Sequence, residues 1–345
     1  MWKKAFLIMS VTLFVSGCRS DEELSEAENG DNVQQKPNEE QLPLEEEIVE
    51  EFVFPLTGEV TGEQTNQRSV AVMINNHPKA RPQSGLHEAD IVYEILAEGD
   101  ITRLLAIYQS SLPDVVGPIR SARDYFIDIA KGYNSMYIAH GYSPEAKSML
   151  EDGVIDHING IQYDGTLFHR EDFRVAPHNS YITKNNLLKG ADQLGYNMEG
   201  SPASLMFRTD EKELIEGNVS TFAVSYYENP SFTSKYQYVA GNYERWVNGE
   251  QTLDLETESP VHLKNVLIVE VPHATIDSAG RRELSLTSGG NGLLFQNGEM
   301  KEITWKNEKG LIVPYNGDEQ AKLVPGKTWV HVIPTNPGIS QMVSY

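Results

Sequence analysis

The sequence is poor in cysteine, in positive charge and in long apolar runs. A single cysteine among 345 residues excludes an intramolecular disulfide and a zinc site built on cysteines. Lys and Arg number 28 against 50 Asp and Glu, which gives a formal net charge of −22. Because nucleic-acid binders meet phosphates with clustered Lys and Arg, the protein is not expected to bind nucleic acid. No apolar run reaches the roughly 20 residues that span a bilayer, so residues 52–345 are expected to be soluble.

The first eighteen residues have the organisation of a secretory signal peptide with a lipidation site. Lys3 and Lys4 precede the apolar stretch 5–15 (AFLIMSVTLFV). Residues 15–18 (VSGC) resemble the bacterial lipobox, in whose precursors the cysteine receives diacylglycerol, the chain is cut before it and its new amine is acylated. We therefore expect a signal peptide over 1–17 and a lipid on Cys18. The membrane is then a partner, at the outer face of the cytoplasmic membrane. The alternative is an ordinary signal peptide with a cysteine there by chance.

An acidic segment follows the lipidation site. Residues 19–51 hold thirteen acidic side chains against Arg19 and Lys36. The segment has no aromatic residue and no hydrophobic periodicity, so residues 18–53 are predicted to be a disordered, self-repelling tether. A tail that binds a basic partner is the other interpretation.

The remaining chain divides into two parts by its pattern. The first mixes strands with helices, which are predicted over 121–131 with Ser121 as cap, from Pro144, and over 183–194. After Gly195, short strands alternate with turn pairs such as Asn248-Gly249. The predicted fold class is α+β. A mixed α/β N-terminal domain spans 54–195, a linker spans 196–214, and a smaller β-rich C-terminal domain spans 215–337.

Gly99 and Asp100 mark a two-residue hairpin between strands 90–98 and 101–109. In a regular ladder Glu94 lies opposite Leu105, and alternation then places Glu94, Glu98 and Arg103 on one face. Two carboxylates around a guanidinium are a candidate acid/base pair with a substrate clamp. A structural ion network is the alternative interpretation.

Further arginines follow in two clusters. Residues 117–123 (GPIRSAR) place two of them at a helix start, where an anion is normally favoured, so we expect an anionic partner group. That partner is either a ligand phosphate or carboxylate, or an internal acid such as Glu94, Glu98 or Asp124. A second cluster spans 169–179 (HREDFRVAPHN). The candidate ligand-binding residues are Arg103, Arg120, Arg123, Arg170, Arg174 and Asn179.

Two histidines are candidates for proton transfer, because imidazole titrates near neutral pH. His140 follows a predicted strand over 137–139, and His178 lies in the second arginine cluster. The candidate catalytic residues are Glu94, Glu98, His140 and His178. No HExxH, GxSxG, SxxK, Walker or GxGxxG motif occurs, so no metal and no cofactor are predicted. The sequence leaves open whether the protein is an enzyme.

Several specific stretches occur together along the chain. They are 81–86 (RPQSGL), 88–94 (EADIVYE), 98–99 (EG), 101–103 (ITR), 117–121 (GPIRS), Arg123, Arg170, Arg174, 177–179 (PHN), 243–246 (YERW), 248–249 (NG) and 325–329 (PGKTW). This combination is similar to the YerB-like lipoproteins of Gram-positive bacteria, over about 54–335. Asp100 and residues 141–143 (GYS) depart from glycine pairs of that family. The resemblance implies two domains and an outer-face membrane anchor, and it carries no accepted reaction or catalytic residue.

Three hypotheses of function follow. The first is a lipid-anchored ligand-binding or accessory protein of the cell envelope, whose arginines surround an anionic piece of cell-wall material. The second is an enzyme that cleaves cell-wall glycan or peptide, with Glu94 or Glu98 as acid/base and His178 or His140 assisting. The third is a scaffold in a membrane protein assembly that contacts another envelope protein through its β-rich domain.

Overall fold

A computed structural model describes residues 52–209 and 219–345. The predicted signal peptide, Cys18 and almost all of the acidic tether lie outside these residues. The first described range contains ten strands: β1 (Phe52–Val53), β2 (Val60–Thr61), β3 (Val70–Asn75), β4 (Ile91–Glu98), β5 (Ile101–Tyr108), β6 (Val115–Val116), β7 (Met136–Ala139), β8 (His157–Asn159), β9 (Phe168–Arg170) and β10 (Ser180–Thr183). Its α-helices are α1 (Asp124–Gly132), α2 (Pro144–Glu151), α3 (Gly160–Tyr163) and α4 (Lys184–Gln193).

The second described range is almost entirely β-structure. Its strands are β11 (Thr221–Ser225), β12 (Thr233–Val239), β13 (Asn242–Val247), β14 (Glu250–Gln251), β15 (His262–Leu263), β16 (Asn265–Val271), β17 (His273–Thr275), β18 (Arg282–Leu284), β19 (Gly290–Gln296), β20 (Glu299–Glu308), β21 (Leu311–Asn316), β22 (Glu319–Gln320), β23 (Thr328–Pro334) and β24 (Val343–Ser344). One short helix, α5 (Ile339–Met342), interrupts them. The strand-rich architecture agrees with the predicted α+β class. No helix in the two described ranges is long and apolar enough to cross a membrane.

One sheet of eleven strands runs through both parts of the chain. Its order is β22-β21-β20-β19-β16-β23-β4-β5-β3-β7-β8. Strand β23 pairs in parallel with both β16 and β4, so strands from the two parts of the chain meet at its centre. The two parts therefore share one sheet, whereas the boundary predicted at 196–214 stays a prediction.

Each face of this sheet is covered by a different layer. On one face lie a six-stranded sheet, with order β14-β13-β12-β11-β24 and β15 beside β13, and a three-stranded sheet, β6-β10-β9. Helices α1 and α2 pack on the opposite face. Strand alternation explains the division, since Val92 and Leu96 belong to the first core and Tyr93 and Ile95 to the second.

The β4–β5 hairpin has the predicted two-residue turn but not the predicted register. Glu98 does pair with Ile101, and Gly99 has a positive φ of 58°. A β-bulge between Leu96 and Glu98 then shifts the ladder, so Glu94 lies opposite Leu104 and not Leu105. An extra residue reverses the alternation of side chains. The prediction that Glu94 and Glu98 share a face was therefore wrong.

The predicted helices occur, with one difference at a helix start. Ser143 and Thr183 cap α2 and α4 through their hydroxyls, which accept from the backbone N–H of Ala146 and Asn186. The prediction that Ser121 caps α1 was wrong. Helix α1 begins at Asp124 with Arg123 as N-cap, and the Ser121 hydroxyl donates to the carbonyl of His140.

Candidate functional site

Parallel strands bring several polar residues to one edge of the large sheet. Strand β7 pairs in parallel with both β3 and β8. In open sheets, ligands commonly bind beyond the carboxyl ends of such strands. His77 follows β3 closely, His140 follows β7 directly, and Asn159 ends β8. The Asn159 amide oxygen accepts from the N–H groups of Gly141 and Ile161, both at 3.0 Å, which fixes the turn after His140.

Two imidazole rings stack at this edge. The rings of His77 and His178 lie 4.5 Å apart at an angle of 26°. The Asn75 amide oxygen accepts from the His77 N–H at 3.0 Å, and its amide nitrogen lies 3.0 Å from His178 Nδ1. His77 Nδ1 accepts from the Lys79 N–H at 3.1 Å. Both rings therefore use Nδ1 as an acceptor and present a protonated Nε2 when neutral.

His140 makes different contacts with both of its nitrogens. Its Nε2 lies 3.1 Å from Arg170 Nη2, which is always a donor, so His140 Nδ1 carries the proton and donates to Ser180 Oγ at 2.7 Å. A serine is activated by a histidine that accepts its proton, which is the opposite polarity. The pair of His140 and Ser180 is therefore arranged as a fixed hydrogen bond and not as a nucleophile with its base.

Arg170 and Asn179 form the outer part of this edge. The Arg170 guanidinium binds the Asp164 carboxylate, with Nη2 at 2.9 Å from Oδ2, and its Nη1 donates to Asn179 Oδ1 at 3.1 Å. The Asn179 amide nitrogen donates to the carbonyl of Glu171 at 3.2 Å. Hydrogen bonding to Arg170 is the main reason why the pKa of Asp164 is lowered. Arg170 and Asn179 thus hold each other and orient His140.

Besides Arg170, three more of the predicted ligand-binding arginines contact internal acceptors. Glu98 Oε1 accepts from Arg103 Nη2 at 3.0 Å and also from Arg123. Arg103 Nη1 donates further to the carbonyl of Ser121 at 2.7 Å. Arg174 donates to Tyr181 and, at 2.6 Å, to the carbonyl of Pro82. Glu98 is thus the internal anionic partner of two arginines.

Arg120 differs from the other four arginines. Its backbone bridges two strand ends, because its N–H donates to Met73 at 2.9 Å and its carbonyl accepts from His140 at 3.0 Å. Its side chain is partly buried. Within the described ranges, no acceptor forms a hydrogen bond or an ion pair with its guanidinium. Burial lowers the pKa of Arg120 and the charge of Glu98 partly offsets this effect, but Glu98 does not accept a hydrogen bond from Arg120, whose donors stay available to another group.

The histidines lie within the field of Arg120. Partial burial lowers the pKa of His77, His140 and His178, and the positive charge of Arg120 lowers each of these pKa values further. Lys79 contributes to the same effect at His77 and His178. Two carboxylates oppose this positive charge in part, since Asp164 raises the pKa of His140 and Glu98 raises that of Arg120. We call Arg120, Lys79, His77, His140 and His178 the Arg120 cluster.

Glu94 lies away from this edge, on the face that carries the six-stranded sheet. Its side chain is 0 % exposed. Burial alone would raise its pKa, but the charge of Arg245 outweighs that effect and lowers it. The carboxylate accepts from four side chains besides lying near His331: Asn76 at 3.2 Å, Thr102 at 3.0 Å, Arg245 at 2.9 Å and Trp329 at 3.2 Å. This geometry is that of a buried structural ion network.

The site also contains residues that sequence reasoning missed. His77, Asn75 and Ser180 were not candidates, although His77 closely follows the apolar stretch 70–74 (VAVMI). Their place in the site follows from the parallel pairing of β3 with β7, which brings together segments about 65 residues apart in the sequence. The sequence alone does not show this pairing. Within the described ranges, no group of three His, Cys, Asp or Glu side chains is placed to hold a metal ion.

Comparison with known proteins identifies relatives over most of the chain. The model for the N-terminal domain of the protein family of unknown function DUF3048 matches residues 56–197, and that for its C-terminal domain matches 222–330. "Putative lipoprotein YerB" of Bacillus subtilis (strain 168) is 46% identical over 283 residues, which cover 81% of this chain and 86% of that protein.

A solved structure agrees with this relationship. The crystal structure of the YerB protein from Bacillus subtilis matches with a TM-score of 0.79 and 45% identity, covering 85% of this chain and 99% of that chain. The similarity in sequence motifs to the YerB-like lipoproteins is thereby confirmed in sequence and in fold. The chain therefore belongs to the YerB-like family, with the N- and C-terminal domains of DUF3048.

Proposed function

We propose that this protein is an extracytoplasmic lipoprotein that binds an anionic group of cell-envelope material at the Arg120 cluster. The observation that carries the proposal is the Arg120 guanidinium, which has no hydrogen-bond acceptor within the described ranges and whose positive charge acts on three histidines. A guanidinium presents a fork of donors that matches carboxylate and phosphate oxygens. The Nε2–H groups of His77 and His178 add two donors beside it.

The arrangement supports binding better than acid/base catalysis. Glu98 accepts from two arginines, and Glu94 is buried among donors, so neither carboxyl group is placed to lend a proton to a bound substrate. Both nitrogens of His140 are engaged. His178 presents one free nitrogen, which serves equally as a hydrogen-bond donor to an anion.

The location of the anion site fits the predicted lipid anchor. A lipid on Cys18 would place the protein at the outer face of the cytoplasmic membrane, and the acidic residues 18–53 would act as a spacer. The strong negative charge of the whole chain opposes random adsorption to anionic polymers. An anionic ligand is then selected by the Arg120 cluster and not by general electrostatics.

Binding to envelope polymers tests the proposal. The full chain, purified in detergent, is titrated with anionic wall polymers and peptidoglycan fragments, with neutral glycan as the ligand control. We expect Arg120→Ala to weaken anion binding about tenfold, since charge-assisted hydrogen bonds contribute roughly 1.5–3 kcal/mol. Lys301→Ala, which removes an exposed positive charge on β20, should change binding little. Equal binding by wild type and Arg120→Ala, or no binding of any anionic material, would contradict the proposal.

A further inference from the structure

A separate cavity lies on the outer face of the six-stranded sheet, the face turned away from the large sheet. Its volume is about 550 Å³. Strands β11, β12, β13 and β24 line it, together with Gly249 of the β13–β14 turn and Tyr345. No residue of the Arg120 cluster lines it. An inference about this cavity is therefore independent of the function proposed above.

The register of the sheet shows which side chains share this face. Ala223 lies opposite Ser344 of β24 and opposite Lys235 of β12. Lys235 in turn lies opposite Trp246 of β13. Directly opposed residues of antiparallel strands point to the same face, so these four residues form one row across four strands. Arg245, next to Trp246, points to the other face, where its side chain is buried.

The row forms a shallow trough between two aromatic rings. Trp246 lies at one end, and Tyr345, which is 63% exposed, lies at the other. The small side chains of Thr221, Ala223 and Ser344 line the stretch between them. Because neighbouring strands lie about 4.8 Å apart, β13 and β24 are about 14 Å apart. The trough therefore has room for a flat ligand that contacts both rings.

Two long polar side chains of β12 lie in the trough with free hydrogen-bonding groups. Lys235 and Gln237 are both exposed. Within the described ranges, neither side chain makes a hydrogen bond or an ion pair. The Gln237 amide offers donors and an acceptor, and the Lys235 ammonium offers three donors. Among the residues that line the cavity, Lys235 has the only charged side chain. The lining thus matches a ligand that is rich in hydroxyl groups and poor in charge.

These features argue against other classes of ligand. A lipid chain needs a continuous apolar groove, which Lys235 and Gln237 interrupt. A bound β-strand needs an unpaired strand edge, whereas β12 and β13 pair with a neighbour on both sides. A polyanion needs several positive charges, and the lining supplies one. An aromatic ring beside groups that bind hydroxyls leaves a sugar as the best fit.

We propose that this trough binds a neutral glycan, with one pyranose ring stacked on the indole of Trp246. The carbon-bound hydrogens on one face of the pyranose carry partial positive charge and contact the electron-rich face of the indole. Hydroxyl groups at the edge of the sugar ring bind Gln237 and Lys235. Tyr345 receives a second sugar unit further along the trough. Stacking and hydrogen bonding together select a rigid sugar ring over a flexible polyol.

Fluorescence quenching measures contact with the indole. The tryptophans of the chain are Trp2, Trp246, Trp305 and Trp329. The last two are 1% and 0% exposed, whereas Trp246 is partly exposed. The difference between wild type and Trp246→Phe isolates the emission of Trp246. We expect a soluble tetramer of β-1,4-linked N-acetylglucosamine to protect this emission from quenching by acrylamide. Sorbitol, which has hydroxyl groups but no ring, should give no protection.

Calorimetry with the same tetramer tests the contributing side chains. Trp246→Ala should weaken binding at least tenfold, because the stacking surface is lost. Lys235→Ala/Gln237→Ala changes only exposed side chains, so this variant should fold as wild type does and bind several-fold more weakly. Phe173→Ala and Lys301→Ala, which remove an exposed ring and an exposed charge outside the trough, are the matched controls.

Neutral glycan should bind Arg120→Ala as tightly as wild type, so binding at the trough and binding at the Arg120 cluster are told apart. Urea denaturation, reported by the buried Trp305 and Trp329, establishes whether each variant is folded. The proposal is overturned if the tetramer does not bind, if sorbitol protects as strongly, or if either trough variant binds as tightly as wild type while folded. It is also overturned if sedimentation shows a dimer that Trp246→Ala dissociates, since the trough would then be an interface between copies of this chain.

Discussion

Arg245 Nη2 lies 2.9 Å from Glu94 Oε2, and this ion pair connects strand β4 of the large sheet to strand β13 of the six-stranded sheet. Both side chains are almost completely buried, at 2% and 0% exposure. The Arg245 guanidinium also stacks over the Trp329 ring, 4.4 Å from its centroid. Removing one charge from such a pair leaves the other buried without compensation.

Arg245→Met should therefore lower the free energy of unfolding by about 3–5 kcal/mol. The double variant Arg245→Met/Glu94→Leu removes both charges and should recover part of that loss. Lys147→Met breaks an exposed pair with Glu151 and should cost less than about 1 kcal/mol. Urea denaturation measures all three. A single variant as stable as wild type would show that the pair does not hold the two sheets together.

Stability should fall in mild acid because His331 is buried as a neutral ring. Burial lowers the pKa of His331 to about 4, below its usual value near 6.5. Between these values the unfolded chain binds more protons than the folded one, so the free energy of unfolding decreases as pH falls from about 6.5 to 4. The expected loss is on the order of 3 kcal/mol.

Denaturation at several pH values tests this dependence, with His331→Gln as the variant. The variant should start less stable near pH 7, because His331 contacts the hydroxyls of Tyr226 at 3.2 Å and Tyr236 at 2.7 Å. It should then lose less stability on acidification. His262→Gln, which changes an exposed ring, should follow the wild-type profile. Identical slopes for wild type and His331→Gln would refute the assignment.

Glu98 should behave as a structural residue. Its carboxylate is the shared acceptor of Arg103 and Arg123, whose side chains are only 4% and 6% exposed. Glu98→Gln leaves both guanidiniums without a counter-charge, so the melting temperature should fall, with a loss of about 1–3 kcal/mol. Asp100→Asn, in the adjacent turn, is the matched control. A catalytic Glu98 would instead leave the melting temperature unchanged and abolish any release of muropeptides from sacculi.

Anion binding at the Arg120 cluster should strengthen as pH falls from about 7 to 5.5. Burial and nearby positive charges lower the pKa values of His77 and His178 in the free protein. A bound anion raises those pKa values, so binding takes up protons and becomes tighter in acid. His77→Gln/His178→Gln should bind with little dependence on pH, which titration with an anionic wall polymer measures. A wild type that binds more tightly at high pH would exclude the cluster.

Cys18→Ala should release the protein from the membrane without unfolding it. The substitution removes the only thiol in the chain, and in the stretch 19–51 thirteen acidic residues outweigh Arg19 and Lys36, so anionic lipid repels this stretch. The variant should appear in the medium or remain as an uncut precursor. Metabolic labelling with a tagged fatty acid measures the modification. Label on Cys18→Ala, or none on wild type, would mean that Cys18 is not lipidated.

Local signals in the sequence were sufficient for many elements of the fold. Ser143 and Pro144 predict the start of α2, and Gly99 and Asp100 predict the β4–β5 hairpin. Both predictions are possible because helix caps and tight turns depend on only a few neighbouring residues. The bulge at Leu96 has no comparable signal. It shifts the register of the ladder and so places Glu94 beside Arg245 and Glu98 beside Arg103 and Arg123, in two different environments.

The candidate site was predicted in part for the same reason. Arg120 was a candidate because it lies with a second arginine near a helix start, and His178 because imidazole titrates near neutral pH. His77 becomes a candidate only when the neighbouring strands are known. Most of the proposed arginine site proved to be internal pairs, and sequence spacing does not distinguish a buried acceptor such as Glu98 from a ligand. Only the positions of the acceptors in the folded protein show that Arg120 differs from Arg103 and Arg123, which both pair with Glu98.

The central position of β23 has a consequence for how the molecule is made. Residues 328–334 are synthesised long after β4 (Ile91–Glu98), yet they lie between β16 and β4 at the middle of the large sheet. Until they arrive, β4 lacks one of its two neighbours, and the first part of the chain cannot complete its hydrogen bonding. The large sheet must therefore remain incomplete until β23 has been synthesised, and removal of residues 326–345 would disable both halves at once.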